Sequence, residues 1–336
     1  PKPTRDQLVG RTRGERTAYG PLMRAYVSPT DGRWAAFLRA RPYLDEVNFW
    51  WPSGVSFKAL MPGERFLFKA KARDGGRLIG GGLFSGYQRM PVSDAWRFFG
   101  EANGCATEAE LLSHITAYRA KNGSPPDPDP VIGCAMLYDT FFVPGDAELA
   151  PPIGYPDSAT RGRGYGPQDS QWSALEMSFA ELAGSSPIVE FRSESDVVRY
   201  VEGARHGKPT LIVPRRGQRS FAALVNDAYE RQCAITGGRI RPTLQAAHII
   251  PFAREGLHSV PNGLLLRSDV HTLYDAGYLS VDPDYRLRVS ERLREDFGNG
   301  KEFYAREGEV IHLPRARADR PARESLEWHH QEKFLA

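Results

Sequence analysis

Four polar side chains near the C-terminal end of the sequence have the types and the spacing that cleavage of a phosphodiester requires. His248 ends a short apolar run that reads as a β-strand, and Asn262 follows in a segment of turn residues. His271 and Asp275 are four residues apart, so a helix would carry both on one face. Phosphodiester hydrolysis needs a base that activates water and a cation that stabilises charge on the leaving oxygen. The pattern therefore predicts metal-assisted phosphodiester hydrolysis.

The chemistry of each side chain indicates a separate task. Imidazole exchanges a proton near neutral pH, which makes His248 the candidate base. The amide of Asn262 can hydrogen-bond the backbone and hold the loop that aims this histidine. His271 and Asp275 together offer an imidazole nitrogen and carboxylate oxygens, which form a good half-shell for a divalent cation. We expect Mg²⁺ or Mn²⁺ as the cofactor.

The segments around these residues resemble the HNH nucleases, whose ββα-metal fold is a β-hairpin followed by a helix. The similarity covers roughly residues 206–290. It includes AAHIIP at residues 246–251, NGLLL at 262–266 and DVHTLYD at 269–275. The amphipathic pattern at residues 217–229 also fits, and the whole order is similar to the HNH subgroup of bacterial restriction-type nucleases.

This resemblance implies a role for each residue of the motif. His248 is the general base, Asn262 orients it, and His271 and Asp275 bind the metal. Many HNH proteins place an aspartate or a histidine immediately before the base as a further metal ligand. Here that position is Ala247, which cannot bind a metal, so the cation would depend on the two remaining ligands, substrate phosphate and water.

A structural zinc ion, which many HNH proteins hold with two Cys-x-x-Cys pairs, is not expected in this chain. The positions after the central asparagine that match such a pair are Arg267 and Val270. Cys233 alone cannot build a zinc site.

Arginine is abundant around the motifs, and such a cluster suits the phosphate backbone of DNA. The alternative is a solvated face whose charge nearby acids balance. The candidate backbone contacts are Arg239, Arg241, Arg254 and Arg267.

The composition is that of a globular protein with room for two domains. Of 336 residues, 41% are hydrophobic and 25% are charged, and the formal net charge is only +3. The sequence lacks an apolar run long enough to span a membrane. Three cysteines are too few for a disulfide scaffold, and they favour a reducing, cytoplasmic location.

Composition divides the chain into five expected parts. The segment after residue 152 is rich in Gly, Pro and Ser, and it reads either as a flexible linker or as a loop that contacts nucleic acid. The expected parts are a flexible N-terminus at 1–19, a first domain at 20–152, a linker with connecting elements at 153–205, the nuclease domain at 206–300, and a charged tail with a helix at 301–336.

The first domain reads as mixed α and β, which makes the whole chain an α+β protein. Its order of elements is loosely similar to the PUA-like superfamily, which includes the SRA, EVE, YTH and ASCH domains. That resemblance implies a curved mixed β-sheet or small barrel with a pocket for a flipped or modified base. Strands are expected at residues 46–50, 65–72, 78–87 and 131–143, and helices at 95–100 and 107–121.

Four aromatic residues of the first domain are candidates for lining that pocket: Trp50, Trp51, Tyr87 and Trp96. Stacking on an aromatic face contributes about 1–3 kcal/mol per base. The alternative is that these side chains belong to the core. Trp50 and Trp51 are neighbours, so on a strand they point to opposite faces, and one of them is expected in the core.

A base-reading domain before an HNH domain resembles the modification-dependent restriction endonucleases. The expected partner is double-stranded DNA that carries a modified base, as in defence against modified phage DNA. Cleavage of both strands by a single-site nuclease would favour a homodimer. Two alternatives stay open: an HNH effector nuclease switched on by a small molecule or protein bound to the first domain, and a DNA-binding protein that has lost catalysis at Ala247.

Overall fold

The structure is a computed structural model, and the residues that it describes form two domains, each of which contains β-sheet. Those residues are 24–54, 56–185, 217–251 and 259–335. Several expectations fall outside them, namely the flexible N-terminus at 1–19, the connecting elements at 186–205 and the backbone contact of Arg254.

A six-stranded mixed sheet forms the first domain. Across the sheet the strand order is β2-β5-β4-β3-β1-β6, and β1 runs parallel to β3 while the other neighbours pair antiparallel. The strands are β1 (Ala25–Thr30), β2 (Val47–Trp51), β3 (Arg65–Ala70), β4 (Leu78–Pro91), β5 (Val131–Phe142) and β6 (Arg163–Tyr165).

This sheet is open, because β2 and β6 form its two edges. The small barrel that the sequence left as an alternative is therefore wrong, and an open mixed sheet takes its place. Register shifts between Gly81 and Leu83, and between Phe84 and Gly86, interrupt the pairing of β4 with β5. Such β-bulges increase the local twist of a sheet without closing it.

Helices cover both faces of the sheet. On one face, buried residues of α1 (Gly32–Arg39), α2 (Val92–Phe99) and α3 (Glu108–Lys121) join the aromatic side chains of β2, β3 and β4 in one core. Thr107 ends the loop before α3 and accepts a hydrogen bond from the backbone N–H of Glu110, an arrangement that stabilises a helix start.

Residues 153–185 pack on the other face of the first sheet, where the sequence predicted a linker. Tyr155 and Trp172 are buried there with side chains of β1, β3 and β5. Trp172 begins α4 (Trp172–Gly184), and Arg65 forms an ion pair with Glu176 of this helix at 3.1 Å. The sequence suggested a linker because this stretch is rich in Gly, Pro and Ser, and the apolar residues that pack on the sheet are few and widely spaced.

The second domain begins with a helix and a hairpin. Helix α5 (Gln218–Ala228) precedes β7 (Leu244–His248), which pairs antiparallel with β8 (Gly263–Arg267). Helix α6 (Ser268–Asp275) follows β8 directly. The order of strand, strand and helix that the sequence predicts around the motif is therefore present. The rest of the domain consists of β9 (Leu279–Val281), β10 (Leu287–Val289), α7 (Arg292–Phe297), α8 (Lys301–Tyr304) and α9 (Arg323–Glu332).

The residues after 300 belong to the second domain, although the sequence placed them in a separate tail. Phe303, Ile311 and Leu326 are buried in the same core as the hairpin. Charged neighbours mask these apolar residues in the sequence. The predicted C-terminal helix is confirmed as α9.

His329 fastens α9 to α6. Its ring stacks on Tyr274 with centroids 3.7 Å apart and an interplanar angle of 15°. Nδ1 lies 3.0 Å from Ser280 Oγ, and Nε2 lies 3.2 Å from the carbonyl oxygen of Tyr274. A neutral ring that donates from Nε2 and accepts at Nδ1 satisfies both partners.

The first and second domains share α5. Ala223 and Leu224 of this helix pack against the core of the first sheet, whereas Phe221 and Val225 are buried with the hairpin. Glu46, just before β2, lies at the N-terminus of α5, where its carboxylate accepts hydrogen bonds from the helix. One helix is thus a structural part of both cores.

No helix within the described ranges combines the length and the apolar character that a membrane crossing requires.

Stability should fall in mild acid because of His329. Burial lowers the pKa of this histidine to about 4 from its ordinary 6.5. Between these two pH values the unfolded chain binds more protons than the folded chain, so unfolding becomes easier as the pH falls. The contribution of this group to the free energy of unfolding should drop by about 3 kcal/mol from neutral pH to pH 4.

Denaturant titrations at a series of pH values, on wild type and His329→Gln, measure this contribution. The difference between the two stability curves should shrink or change sign as the pH falls, because the glutamine does not titrate. Parallel curves for the two proteins would show that the protonation of His329 is not linked to folding.

Candidate active site

The last residue of β7 presents the candidate base. The imidazole of His248 stacks on the ring of Phe221 from α5, with centroids 3.9 Å apart and an interplanar angle of 11°. His248 is half-buried, so one part of the ring rests against α5 while the side chain keeps contact with solvent. The stack fixes the plane of the imidazole.

Asn262 holds the chain immediately after His248. Its Oδ1 accepts a hydrogen bond from the backbone N–H of Ile250, and its Nδ2 donates to the carbonyl oxygen of the same residue, both at 2.9 Å. The backbone carbonyl of Asn262 also accepts from the N–H of Ile249 at 2.9 Å. Asn262 itself is 5% exposed. These bonds fix the backbone on the C-terminal side of the histidine.

Helix α6 carries an imidazole and a carboxylate side by side. His271 Nε2 lies 3.3 Å from Asp275 Oδ2, and its Nδ1 lies 2.9 Å from Gln245 Oε1 on β7. A ring protonated at Nδ1 donates to Gln245 and turns the lone pair of Nε2 toward Asp275. Metal-binding histidines commonly donate their other ring N–H in this manner, which fixes both tautomer and orientation.

This imidazole–carboxylate pair would suit a divalent cation that takes the rest of its coordination shell from water and substrate. Mg²⁺ in particular is often held by one or two carboxylates together with phosphate oxygens and water. In the described residues, no three side chains of His, Cys, Asp or Glu come together as a metal site. Ala247 is fully buried and belongs to the core, so the position before the base contributes packing. Among the described residues of the motif, His271 and Asp275 are the candidate ligands.

Asp269, the other carboxylate of α6, is engaged elsewhere. Both of its oxygens accept hydrogen bonds from Arg267, at 2.7 and 2.8 Å. These bonds lower the pKa of Asp269 and raise that of Arg267. Because Asp269 is paired with Arg267 through both oxygens, Asp275 is the carboxylate that lies beside His271.

The glycine after Asn262 makes room for α5. Gly263 pairs with His248 across the hairpin. A β-carbon at Gly263 would lie 2.6 Å from Val225 Cγ2 and 2.9 Å from Phe221 Cζ. Because these distances are shorter than side-chain contacts allow, only glycine lets α5 approach closely enough for Phe221 to stack on the base.

The comparison with known families agrees with this geometry. Residues 233–282 match the family described as HNH endonuclease. These residues form an HNH endonuclease domain. The matched segment contains β7, β8 and α6, and with them His248, Asn262, His271 and Asp275. Among curated proteins, none matches the chain.

Three of the four arginines proposed as DNA contacts lie in the described residues, and each of the three has a partner within the protein. Arg239 donates to Gln232 Oε1 at 2.8 Å, and Arg267 pairs with both Asp269 and Glu302. Arg241 lies 3.7 Å from the carboxylate of Asp94 in the first domain. Their contact with DNA stays a prediction.

The four aromatic residues proposed for the base pocket do not form a single cage. Trp50 donates from Nε1 to the carbonyl oxygen of Asn103, at 2.9 Å, in the turn that follows α2. Trp51 lies on the opposite face of β2, where it stacks on Phe57 with centroids 5.2 Å apart and also approaches Tyr87 at 6.2 Å. Trp96 lies on α2 and packs against the first core. Only Trp51 and Tyr87 are brought together.

Two residues that shape the site were not singled out from the sequence. Gln245 shares a face of β7 with Ala247, and a polar residue on that face could have signalled a partner on the helix that crosses it. Phe221 lies in a separate helix, and its contact with His248 depends on tertiary packing that no local pattern encodes.

Replacing Gly263 with alanine should damage both stability and cleavage. The added methyl group would push α5 away from the hairpin, at a cost of about 1–3 kcal/mol, and would disturb the stack under His248. Denaturant unfolding and DNA cleavage assays measure the two effects.

Gly184→Ala at the end of α4 is the matched control, because a β-carbon there meets nothing within 4 Å. Alanine in a helix is favoured over glycine by about 0.5–1 kcal/mol, so this variant should be as stable as wild type or more so. Equal behaviour of the two alanine variants would contradict the packing argument.

Asp275→Ala should raise the concentration of Mg²⁺ or Mn²⁺ needed for half-maximal cleavage, because it removes one of two ligands. Its side chain is 62% exposed, so the fold should tolerate the change. Asp284→Ala, at a carboxylate that is 76% exposed and pairs with Arg323, provides the control. An unchanged metal titration in folded Asp275→Ala protein would remove Asp275 from the metal site.

Proposed function

We propose that this protein is a metal-dependent endonuclease of double-stranded DNA in which His248 accepts the proton of the attacking water. The hairpin and α6 carry this proposal, since β7 ends in a histidine and the helix that follows β8 directly carries an imidazole–carboxylate pair. The match of residues 233–282 to HNH endonucleases supports it independently.

The residues around His248 suit it to proton transfer. Phe221 holds the plane of its ring, and Asn262 holds the backbone that follows it. A base positioned in this way contributes about 10²–10⁴-fold to a hydrolytic rate. His271 and Asp275 would hold the Mg²⁺ or Mn²⁺ ion, which when bound stabilises negative charge at the scissile phosphate.

The first domain, in this proposal, reads a modified base, so that the whole chain acts as a modification-dependent restriction endonuclease. The aromatic pair of Trp51 and Tyr87 supports this, since flipped bases are held by stacking on aromatic rings. Phe57 covers the face of Trp51, so an entering base would have to displace it. Cleavage of both strands favours two copies of the chain acting together.

One observation favours a second candidate, an HNH effector nuclease that a ligand of the first domain switches on. Helix α5 packs in both cores and touches His248, so a change in the first domain could reach the base directly. The third alternative, a DNA-binding protein without catalysis, rests on Ala247 and predicts binding without cleavage.

Incubation of the full chain with modified and unmodified duplex DNA, in the presence of Mg²⁺ or Mn²⁺, separates these functions. We expect the modified DNA alone to be cut. The cleavage rate of His248→Ala should be lower by about 10²–10⁴-fold, because the change removes the proposed base. Its affinity for DNA should be unchanged, because His248 is not a proposed contact of the DNA backbone. Trp51→Leu should lose the preference for modified DNA while it stays folded.

Each other outcome selects a rival. Cleavage that appears only after addition of an effector supports the switched nuclease, and binding without cleavage supports the non-catalytic protein. Wild-type turnover in His248→Ala would refute the assignment of the base.

A further inference from the structure

A cluster of three arginines lies where the first domain meets the HNH domain. Three arginines approach the carboxylate of Asp94, namely Arg97 of α2, Arg231 after α5 and Arg241 shortly before β7. The distances are 3.4 Å for Arg97, 3.2 Å for Arg231 and 3.7 Å for Arg241. We call these arginines the seam cluster, because they come from both domains.

The seam cluster carries more positive charge than its carboxylate can neutralise. Three guanidinium groups face one carboxylate, which leaves an excess of two positive charges. Burial lowers the pKa of Arg97, the charge of Asp94 opposes this shift, and repulsion by the nearby charges of Arg241 and Arg231 adds to it. Glu230, the residue immediately before Arg231, pairs with Arg315. An additional anion would relieve this repulsion.

Donor groups for such an anion are present. The side chain of Asp94 is 3% exposed, whereas those of Arg97, Arg231 and Arg241 are 31%, 33% and 47% exposed. Each guanidinium has five N–H donors, and a single buried carboxylate uses few of them. The buried carboxylate of Asp94 therefore positions the three guanidinium groups, and each of them remains partly exposed to solvent.

The backbone before the cluster adopts an unfavourable conformation. Glu230 and Arg231 are consecutive non-glycine residues with φ of +52° and +58°, in the left-handed region. Non-glycine residues in such conformations cost about 1–3 kcal/mol each and occur preferentially at functional sites. The turn brings Arg231 back toward α2, where its guanidinium meets Asp94.

We propose that the seam cluster binds a phosphate of the DNA backbone and thereby fixes the duplex across both domains. This inference rests on the proposed nuclease function and adds a binding site to it. Because Arg97, Arg231 and Arg241 come from both domains, a phosphate bound by them would hold the duplex against the first domain and the HNH domain together.

The salt dependence of DNA binding tests this site. The full chain carrying His248→Ala, which prevents cleavage, is titrated against fluorescent modified and unmodified duplexes at several NaCl concentrations. Loss of one phosphate contact reduces the slope of log K against log salt by about 0.9. Arg241→Gln should show this reduction, with an equal loss of affinity on modified and unmodified DNA. Asp94→Asn should bind more tightly than the parent, because it removes the competing negative charge.

Arg73→Gln is the matched control, since this exposed arginine also pairs with carboxylates, Asp31 and Asp74, but lies away from the seam. It should keep the slope of the parent. An unchanged slope in folded Arg241→Gln, or weaker binding by folded Asp94→Asn, would reduce the seam cluster to a structural ion pair. Failure of the parent chain to bind DNA at all would refute the proposed function, and this inference with it.

Discussion

The packing of α5 between two hydrophobic cores is the constraint on which the candidate site depends. Ala223 and Leu224 complete the core of the first sheet, while Phe221 and Val225 complete that of the HNH domain. The same Phe221 ring supports His248. A histidine at the end of a short two-stranded hairpin would otherwise have little to hold its side chain, because a lone hairpin is only marginally stable.

A buried carboxylate secures the start of this helix. Glu46 accepts hydrogen bonds from the N–H of Arg219 at 2.9 Å, from the hydroxyl of Ser220 at 2.5 Å and from the N–H of Ser220. Burial raises the pKa of Glu46, and these hydrogen bonds oppose that shift. The N-terminus of a helix stabilises negative charge, so the carboxylate compensates donors that the helix leaves unpaired. The first domain thus caps the helix whose Phe221 stacks on His248.

The sequence predicted the parts of the site that local spacing encodes. His248 ends a strand, His271 and Asp275 share a helix face, and Asn262 bonds the backbone beyond the base, because each of these relations spans one hairpin or one helical turn. Four of the six strands of the first domain, β2 to β5, lie where the sequence predicted strands. Whether these strands form an open sheet or a closed barrel was not predicted, because the two differ only in whether the edge strands pair with each other.

Relations between distant segments escaped the sequence for physical reasons. Tyr155 and Trp172 anchor residues 153–185 to the sheet from within a stretch whose Gly and Pro content is typical of linkers. His329 lies in a charged segment that the sequence placed outside the domain, yet its ring stacks on Tyr274 of α6. The arginines illustrate the same limit, since their abundance indicated DNA but could not show that Arg241 meets Asp94 of the other domain.

Chemical rescue of His248→Gly tests the central claim most directly. Removal of the side chain leaves a slot against Phe221, whose ring packs 3.9 Å from the native imidazole, and free imidazole can stack there and accept the proton. We predict that His248→Gly binds DNA, does not cut it, and regains metal-dependent cleavage in proportion to added imidazole. Undiminished cleavage by folded His248→Gly without imidazole would contradict the account, because the base would then lie elsewhere.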